Sequence, residues 1–477
     1  MGTISSAFSL ISGALNADQS ALSIVANNVA NANTPGYTEE TPNWRENDPV
    51  SINGVDYGTG VSQTGSTSIR DRVLTERLNQ QQQLASASSS RLAALNAIQA
   101  LFTPDSGSNS ARAGDIGSDI TGLFNSFSSL EANPTNNALR QQVLSTARTL
   151  AADVSNAANA LSSQRAALDQ EAAGVIAQVN ALAAAIAHLN GQIQSTSPNA
   201  DGGVLEDQRQ QDLSKLSQLI GVNQITTENN GLSTTTTSGQ ALVSENSNYT
   251  MTTGLVNGVT HFFVGTADIT SGLSSGGGLL GGYLTARDQD IPQVLNSLDQ
   301  LAYGVATAVN TQNNAGTNMN GIGGTGVNPA NPSLDIFNQP ATAAGSAAAM
   351  TVTMMDPNDI AAAGPGAGSG DDSNAIAMAR LAGAGLVGGK SPSNFFSNFV
   401  TMLGATVVEV QTENTAENAS VTQLQNQVDA LSAVNLNDEA VSMQQLERSY
   451  QAASHVFAIL NTIMASALNL GIQTSVS

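Results

Sequence analysis

A heptad pattern over residues 144–193 constrains the fold of this chain more than any other feature. Apolar side chains and alanines recur there in steps of three and four, and Arg165 is the single interruption. Such spacing places one row of side chains along one face of an α-helix. At about 1.5 Å per residue that helix would be roughly 75 Å long. The sequence therefore predicts a chain whose body is a rod of long helices.

The two ends of the chain carry similar stripes that almost lack charge. Asp18 is the only charged residue before residue 38, and nothing after Arg448 carries a formal charge if His455 is neutral. Either stripe alone is equally compatible with an ordinary core helix. Together they predict a coiled-coil terminal domain. A second row beside the C-terminal stripe makes that helix apolar over a wide arc, as suits a helix among several neighbours: Val456, Ile459 and Ile463.

Shorter patterns complete the secondary structure. Residues 221–275 alternate Thr, Ser, Gly and Val around an Asn257-Gly258 turn, which predicts a small β element. Residues 313–370 are rich in Gly, Ala, Asn and Pro, which indicates loops around a short strand near residues 349–355. The run of glycines at 276–278 indicates a flexible hinge. Further helices are expected over residues 70–103, 115–131, 206–220, 292–312 and 394–431.

The expected fold is mainly α with a smaller β part, arranged as a discontinuous multidomain rod. We expect three domains, each assembled from separated stretches of chain. They are a terminal coiled-coil domain (residues 1–40 and 432–477), a helical rod domain (41–220, 276–320 and 371–431) and a small β- and loop-rich outer domain (221–275 and 321–370).

Composition excludes several classes of protein. Fifteen Lys and Arg residues against thirty-seven Asp and Glu give a net charge of −22, so binding to nucleic acid or to anionic lipid has no electrostatic basis. The absence of cysteine excludes disulfides, thiolate nucleophiles and Cys-ligated zinc. We expect no membrane insertion, because no long uninterrupted apolar run is present. The N-terminus does not resemble a general secretory signal, which leaves a cytoplasmic protein or one exported without a cleaved signal.

No constellation for catalysis, cofactor binding or metal binding is apparent. HExxH, GxSxG and GxxxxGK[ST] motifs are absent, and the three histidines have no carboxylate at a ligand spacing. The acidic residues near residue 360 fit no calcium-loop template and indicate a solvated loop. Trp44 and Tyr37 are expected to pin a loop onto the terminal helix. The histidines are His188, His261 and His455; the acidic residues are Asp356, Asp359, Asp371 and Asp372.

The run ALSIVANNVANANTPGY at residues 21–37 resembles the N-terminal signature of the rod, hook and hook-associated proteins of the bacterial flagellum. Asn side chains satisfy backbone groups at the helix end, Thr-Pro-Gly ends the helix, and Tyr37 anchors the exit. The C-terminal runs VNLNDEA (434–440), YQAA (450–453) and LNL (468–470) resemble the C-terminal signature of the same family.

Interior motifs are similar to the hook-associated protein 1 type in particular, and they cover nearly the whole chain in one colinear series. Two departures stand out. Glu39-Glu40 occupies a place where a basic or amide residue is common, and the region after residue 330 lacks the large β insertion of many relatives. The interior motifs are DGGVLEDQR (201–209), GLLGGYLTARD (278–288), DDSNA (371–375) and residues 395–403.

The resemblance implies a structural, non-catalytic protein at the junction between hook and filament, outside the cell. Its implied partners are further copies in a ring or tube, the hook protein, the second junction protein, the flagellar export apparatus and a dedicated export chaperone that binds the helix over residues 443–470. The alternatives are another axial protein (hook, distal rod or second junction protein), a secreted adhesin or an extracellular hydrolase.

The expected polymerisation interface combines the two stripes with the signature residues. From the stripes come Phe8, Ile11, Leu15, Leu22, Val25, Val29, Met443, Leu446, Tyr450, Phe457, Leu460 and Met464, and from the signature come Asn28, Asn31, Pro35 and Tyr37.

Overall fold

The structure, a computed structural model, is mainly helical with a smaller β part, as the sequence predicts. It describes residues 2–52, 55–103, 116–196, 201–227, 230–323, 333–338 and 341–473. The helices are α1 Gly2–Asn31, α2 Arg72–Leu101, α3 Ile116–Ala132, α4 Asn137–Thr196, α5 Val204–Leu219, α6 Thr270–Gly276, α7 Gly278–Thr285, α8 Ile291–Ala315, α9 Ser373–Arg380, α10 Pro392–Ser432 and α11 Leu436–Gln473. The strands are β1 Glu40–Glu46, β2 Val50–Ile52, β3 Val55–Tyr57, β4 Val61–Ser68, β5 Val222–Thr226, β6 Leu232–Thr236, β7 Ala241–Ser244, β8 Ser247–Asn248, β9 Met251–Val256, β10 Val259–Val264 and β11 Ala267–Asp268.

The chain forms two compact units, each built from separated stretches. The terminal unit comprises Met1–Ala85, Ile176–Gly278 and Glu417–Ser477, and the body unit comprises Ser86–Val175 and Leu279–Ala416. The predicted three-domain division stays a prediction.

Residues 221–275 and 321–370, expected together in one outer domain, fall in different units. Within the terminal unit, Asn180 on α4 exchanges two hydrogen bonds with the backbone of Met251. Within the body unit, Asn313 on α8 accepts a hydrogen bond from the amide of Ala361 at 2.9 Å. Each half of the expected outer domain is therefore held by a helix of its own unit. Residues 228–229, 324–332 and 339–340 of that expected domain lie outside the described residues.

The body unit has one apolar core between its helices. Phe102 and Phe399 meet edge to face with ring centroids 5.0 Å apart. Arg140 is 1% exposed and donates to the carbonyls of Pro134 at 2.7 Å and Ile360 at 2.6 Å. Burial lowers the pKa of this arginine. The core includes Ile120, Leu123, Phe127, Leu144, Val154, Leu161, Leu298, Val305, Phe337 and Val410.

The long heptad does form one helix, α4. By length and hydropathy, its stretch Asn137–Ser195 is the one described helix that could cross a membrane, and 44% of its most apolar window is buried. The core helix of a non-membrane protein passes the same test, and the side chains of Leu144, Leu161 and Leu168 lie in the body-unit core.

The terminal unit contains a β-hairpin that the sequence analysis misses. Strands β1 and β4 pair antiparallel from Glu40↔Ser68 to Glu46↔Val61, with a bulge between Asn43 and Trp44. Residues 41–68 were expected in the helical domain, and that expectation is wrong for these strands. Most side chains of both strands are exposed, so the apolar alternation by which a half-buried strand is recognised does not exist here.

The predicted β element of the terminal unit is confirmed. Strands β5 to β8 form a four-stranded sheet and β9 to β11 a three-stranded one, all antiparallel. Asn257 and Gly258 connect β9 to β10 with φ values of 52° and 80°, as a primed turn requires.

The glycines at 276–278 lie in a close backbone contact, so the prediction of a flexible hinge there is wrong. Gly278 has φ +73°, and a Cβ there would lie 2.4 Å from the Cα of Ile220. A Cβ on Gly221 would lie 1.9 Å from the carbonyl oxygen of Gly276. Two chain segments therefore meet where only glycine allows them to approach. The short strand expected near residues 349–355 is reduced to a single bridge, Phe337↔Val352.

Candidate polymerisation interface

Helices α1 and α11 pack along each other in the terminal unit. The rings of Phe8 and Phe457 lie with centroids 4.5 Å apart and planes tilted by 41°. Because these residues belong to the stripes at opposite ends of the chain, the pairing brings both ends together. Helix α1 also packs on β1 and β4.

The structure sorts the expected interface residues into three groups. Val25 and Asn28 are buried, and Val29, Pro35 and Tyr450 are exposed. Their role in polymerisation stays a prediction. The half-buried group consists of Phe8, Ile11, Leu15, Leu22, Asn31, Tyr37, Met443, Leu446, Phe457, Leu460 and Met464. The side chains of residues 468–470, part of the C-terminal signature, lie outside the described set.

The most buried row of α1 includes two alanines that are not among the predicted interface residues. Ala17 is 3% and Ala21 0% exposed, four residues apart on one helical face. Their small side chains let neighbouring backbone approach closely. Asp18 beside them is 4% exposed, and its Oδ2 has no hydrogen-bond partner among the described residues.

A second apolar row on α11 faces away from the protein. Val456, Ile459 and Ile463 are 43%, 58% and 47% exposed. Their spacing of three and four residues places them on one helical face. The packing of α1 on α11 therefore leaves most of the α11 stripe half-buried and the adjacent apolar row exposed.

Asn28 joins three segments at the end of α1. Its Nδ2 donates to Oε1 of Glu439 at 2.8 Å and to the carbonyl of Glu40 at 2.8 Å. Its Oδ1 accepts from the amide of Glu40 at 3.1 Å and from the hydroxyl of Tyr37 at 2.8 Å. Asn28 is completely buried, so the carboxamide satisfies polar groups that would otherwise lack partners. Burial raises the pKa of Glu439.

Tyr37 anchors the chain where it leaves α1, as expected. Burial, with the nearby carboxylates of Glu40 and Asp207, raises the pKa of Tyr37 to about 12. Trp44, expected to pin the same loop, is 48% exposed on β1 instead.

The motif at residues 201–209 holds the exit of α1 through Asp207. The amide and hydroxyl of Thr38 donate to the two carboxylate oxygens of Asp207, at 3.1 and 2.8 Å. Arg70 forms ion pairs with Asp207 and, at 2.6 Å, with Glu206. Burial raises the pKa of Asp207, and Arg70 and Thr38 oppose that effect.

Glu206 lies among three arginines. Its side chain is 1% exposed and contacts Arg70, Arg72 at 3.2 Å and Arg209 at 3.9 Å. Arg209 also donates to Oδ1 of Asn190 at 2.9 Å. Burial, together with the nearby charges of Arg72 and Arg70, lowers the pKa of Arg209 to about 10, although Glu206 acts in the opposite direction. The sequence indicated this motif only through the resemblance. The signal available in the residues themselves is a cluster of Glu, Asp and Arg in a chain with only 11% charged residues.

A second interior motif, at residues 278–288, is held in a similar way inside the body unit. Arg287 is 1% exposed and pairs with Asp169 at 2.5 Å and Asp288 at 2.8 Å. It lies in a π-helical turn, Ala286–Asp290. Each motif therefore contains a buried arginine that bonds to a side chain of α4, Arg209 to Asn190 and Arg287 to Asp169. The described residues contain no cluster of His, Asp and Glu that could hold a metal ion.

Two family models match the chain. Residues 105–328 match "Flagellar hook-associated protein FlgK helical domain", and residues 11–38 match "Flagella basal body rod protein". The flagellar hook-associated protein 1 of Bacillus subtilis is 28% identical over 96% of this chain and 96% of its own. That of Escherichia coli is 25% identical over 96% of this chain and 98% of its own.

Over 96% of its length the chain is similar to flagellar hook-associated protein 1. It is a structural component of the bacterial flagellum that self-assembles into the flagellar structure. The fold agrees: the flagellar hook junction protein FlgK from Burkholderia pseudomallei superimposes with a TM-score of 0.62 at 18% identity, over 74% of this chain and 99% of that one.

Proposed function

We propose that this chain forms a ring or tube of identical subunits at the boundary between hook and filament. The single observation that carries the proposal is the exposed row of Val456, Ile459 and Ile463 beside the stripe of α11 that α1 half-buries. This row lies on the part of α11 after Arg448, which carries no formal charge, and apolar surface gains about 25 cal/mol for each Å² removed from water. In a closed, symmetric assembly a second copy of the chain packs on this row and removes it from water.

The low charge of α1 and of the part of α11 after Arg448 fits such crowding. Asp18 is the only charged residue before residue 38, so like charges do not repel when many identical α1 helices converge. The net charge of −22 is carried mainly by the rest of the chain, and it keeps the unassembled subunit soluble.

The proposed partners are the hook protein on one face of the ring and the second junction protein on the other. The role is mechanical and not catalytic: the ring adapts the hook to the filament and transmits torque through long helices. We further propose export through the flagellar type III apparatus to an extracellular position. A dedicated chaperone would cover the α11 face before export, and removal of residues 442–477 would abolish that complex.

Deletion of the gene in its own bacterium tests the proposal. We expect hooks without filaments, with unpolymerised filament protein in the culture medium. Normal filaments would contradict a junction role, and loss of the hook itself would indicate a rod or hook subunit. Electron microscopy of the cells and immunoblots of the medium provide the two readouts, and a plasmid-borne wild-type copy is the control.

A further inference from the structure

A cavity of about 400 Å³ lies inside the terminal unit, beside the turn that follows α1. Its walls come from that turn, from α2, from α5 and from the end of α10. Ligand pockets in proteins begin at roughly 300 Å³, so the cavity is large enough for a short polypeptide segment.

The charged groups in the cavity wall already have partners. Arg70 pairs with Asp207, and Lys215 pairs with Asp212 at 3.3 Å, a residue outside the wall. Asp429 accepts a hydrogen bond from Gln425 at 2.8 Å. A charged ligand would find no free counter-charge among these groups, which favours an uncharged one.

Two amide side chains in the wall lack partners. Asn79 is 1% exposed, and neither its Nδ2 nor its Oδ1 has a hydrogen-bond partner among the described residues. The buried Nε2 of Gln210 also has none within the described part of the chain. Together they offer both donors and an acceptor, and buried polar groups of this kind are almost always satisfied in native proteins. A polypeptide backbone, with its N–H and C=O groups, is the complementary ligand.

We propose that this cavity receives an uncharged polar segment of a second copy of the chain when subunits assemble. The inference rests on the proposed function and adds the site through which neighbouring copies engage. The cavity wall includes Pro35 and Gly36 after α1, and Ser432 and Ala433 before α11. It therefore continues from the ends of the two helices that carry the proposed interface. The chain also presents a suitable segment: residues 58–67 contain no charged residue, and most of them are exposed or half-buried.

A single introduced thiol tests the proposal, because the chain contains no cysteine. Ser214 lines the cavity, and Ser214→Cys changes one atom. Gln218 lies one turn further along α5, exposed and outside the cavity, so Gln218→Cys is the matched control. Both variants of the full chain are reacted with fluorescein maleimide as purified monomer and within isolated flagella, and thermal melting checks that each monomer folds.

We expect the thiol at 214 to react about tenfold more slowly in flagella than in monomer, whereas the thiol at 218 keeps its rate. A benzophenone maleimide at 214 should then cross-link to a peptide of this same chain. Equal reactivity at 214 in both states would overturn the proposal while leaving ring assembly intact. Cross-linking only to another flagellar protein would overturn the choice of a second copy. Absence of the unaltered chain from isolated flagella would instead refute the proposed function.

Discussion

Asn28 donates a hydrogen bond to Glu439 at 2.8 Å across 411 positions of sequence. Glu439 lies in the first turn of α11, where the helix dipole favours a carboxylate, and Asn28 lies near the last turn of α1. The contact links the two signature segments directly, so the resemblance at the two ends of the chain describes one structural unit.

Replacement of Asn28 by Ala should destabilise the terminal unit by about 1–3 kcal/mol, because several buried polar groups lose a partner at once. The measurement is urea unfolding of the purified chain, followed by circular dichroism. Ser23→Ala on the exposed face of the same helix removes only a bond to the carbonyl of Gln19, and it should have almost no effect. Equal stability of the two variants would show that Asn28 does not hold the helix ends together.

The folding stability of the terminal unit should depend on pH in the direction set by Glu439. Burial raises the pKa of this carboxyl in the folded state, so folding is favoured while the group is protonated and less favoured as pH rises through the folded-state pKa. Glu439→Gln keeps an acceptor for Asn28 and removes the charge. The variant should be more stable than wild type at pH 7, and the difference should disappear below the ordinary value of 4.5. Thermal melts at a series of pH values measure this, and a difference that grows on acidification would contradict it.

Removal of Arg70 should be among the most destabilising single changes in the terminal unit. It leaves Asp207 and Glu206, whose side chains are 7% and 1% exposed, without their closest cation. Breaking a buried ion pair in this way costs about 3–5 kcal/mol. Arg72→Ala is the matched control, since that side chain is 55% exposed and its loss should cost at most about 1 kcal/mol. Urea unfolding of both variants compares them, and similar midpoints would contradict the central position of Arg70.

Two glycines with similar φ separate backbone strain from lack of space. Gly278→Ala should cost about 2–5 kcal/mol, since the new Cβ would overlap the backbone of Ile220. At Gly258 nothing lies within 4 Å of an added Cβ, so the same change there should cost only about 1–2 kcal/mol. Thermal unfolding of both variants measures the difference. Equal losses of stability in the two variants would mean that the backbone around residues 276–278 moves to accommodate the new Cβ, as a flexible hinge would.

Periodicity predicted the helices because long stripes such as residues 144–193 must bury one face. It failed for β1 and β4, whose exposed Ser and Thr residues carry no burial signal. It also could not show which part of α1 packs most tightly. Ala17 and Ala21 are buried because they are small enough for close approach, and spacing alone does not distinguish them from exposed alanines. The Arg70 cluster depends on residues far apart in the chain, so only the fold brings it together.

Ile459→Asp should separate folding of the subunit from its polymerisation. Ile459 is 58% exposed, so the change should alter monomer stability by no more than about 0.5 kcal/mol. In an assembly that buries this row, each subunit would lose roughly 1.5–3 kcal/mol of side-chain burial and would also have to bury a charge. We therefore expect a normally melting monomer and hooks without filaments, counted by electron microscopy in cells that carry only the variant. Asn461→Asp adds the same charge on another face of α11 and should preserve filaments. Filaments of normal number with Ile459→Asp would mean that this row is not an assembly surface.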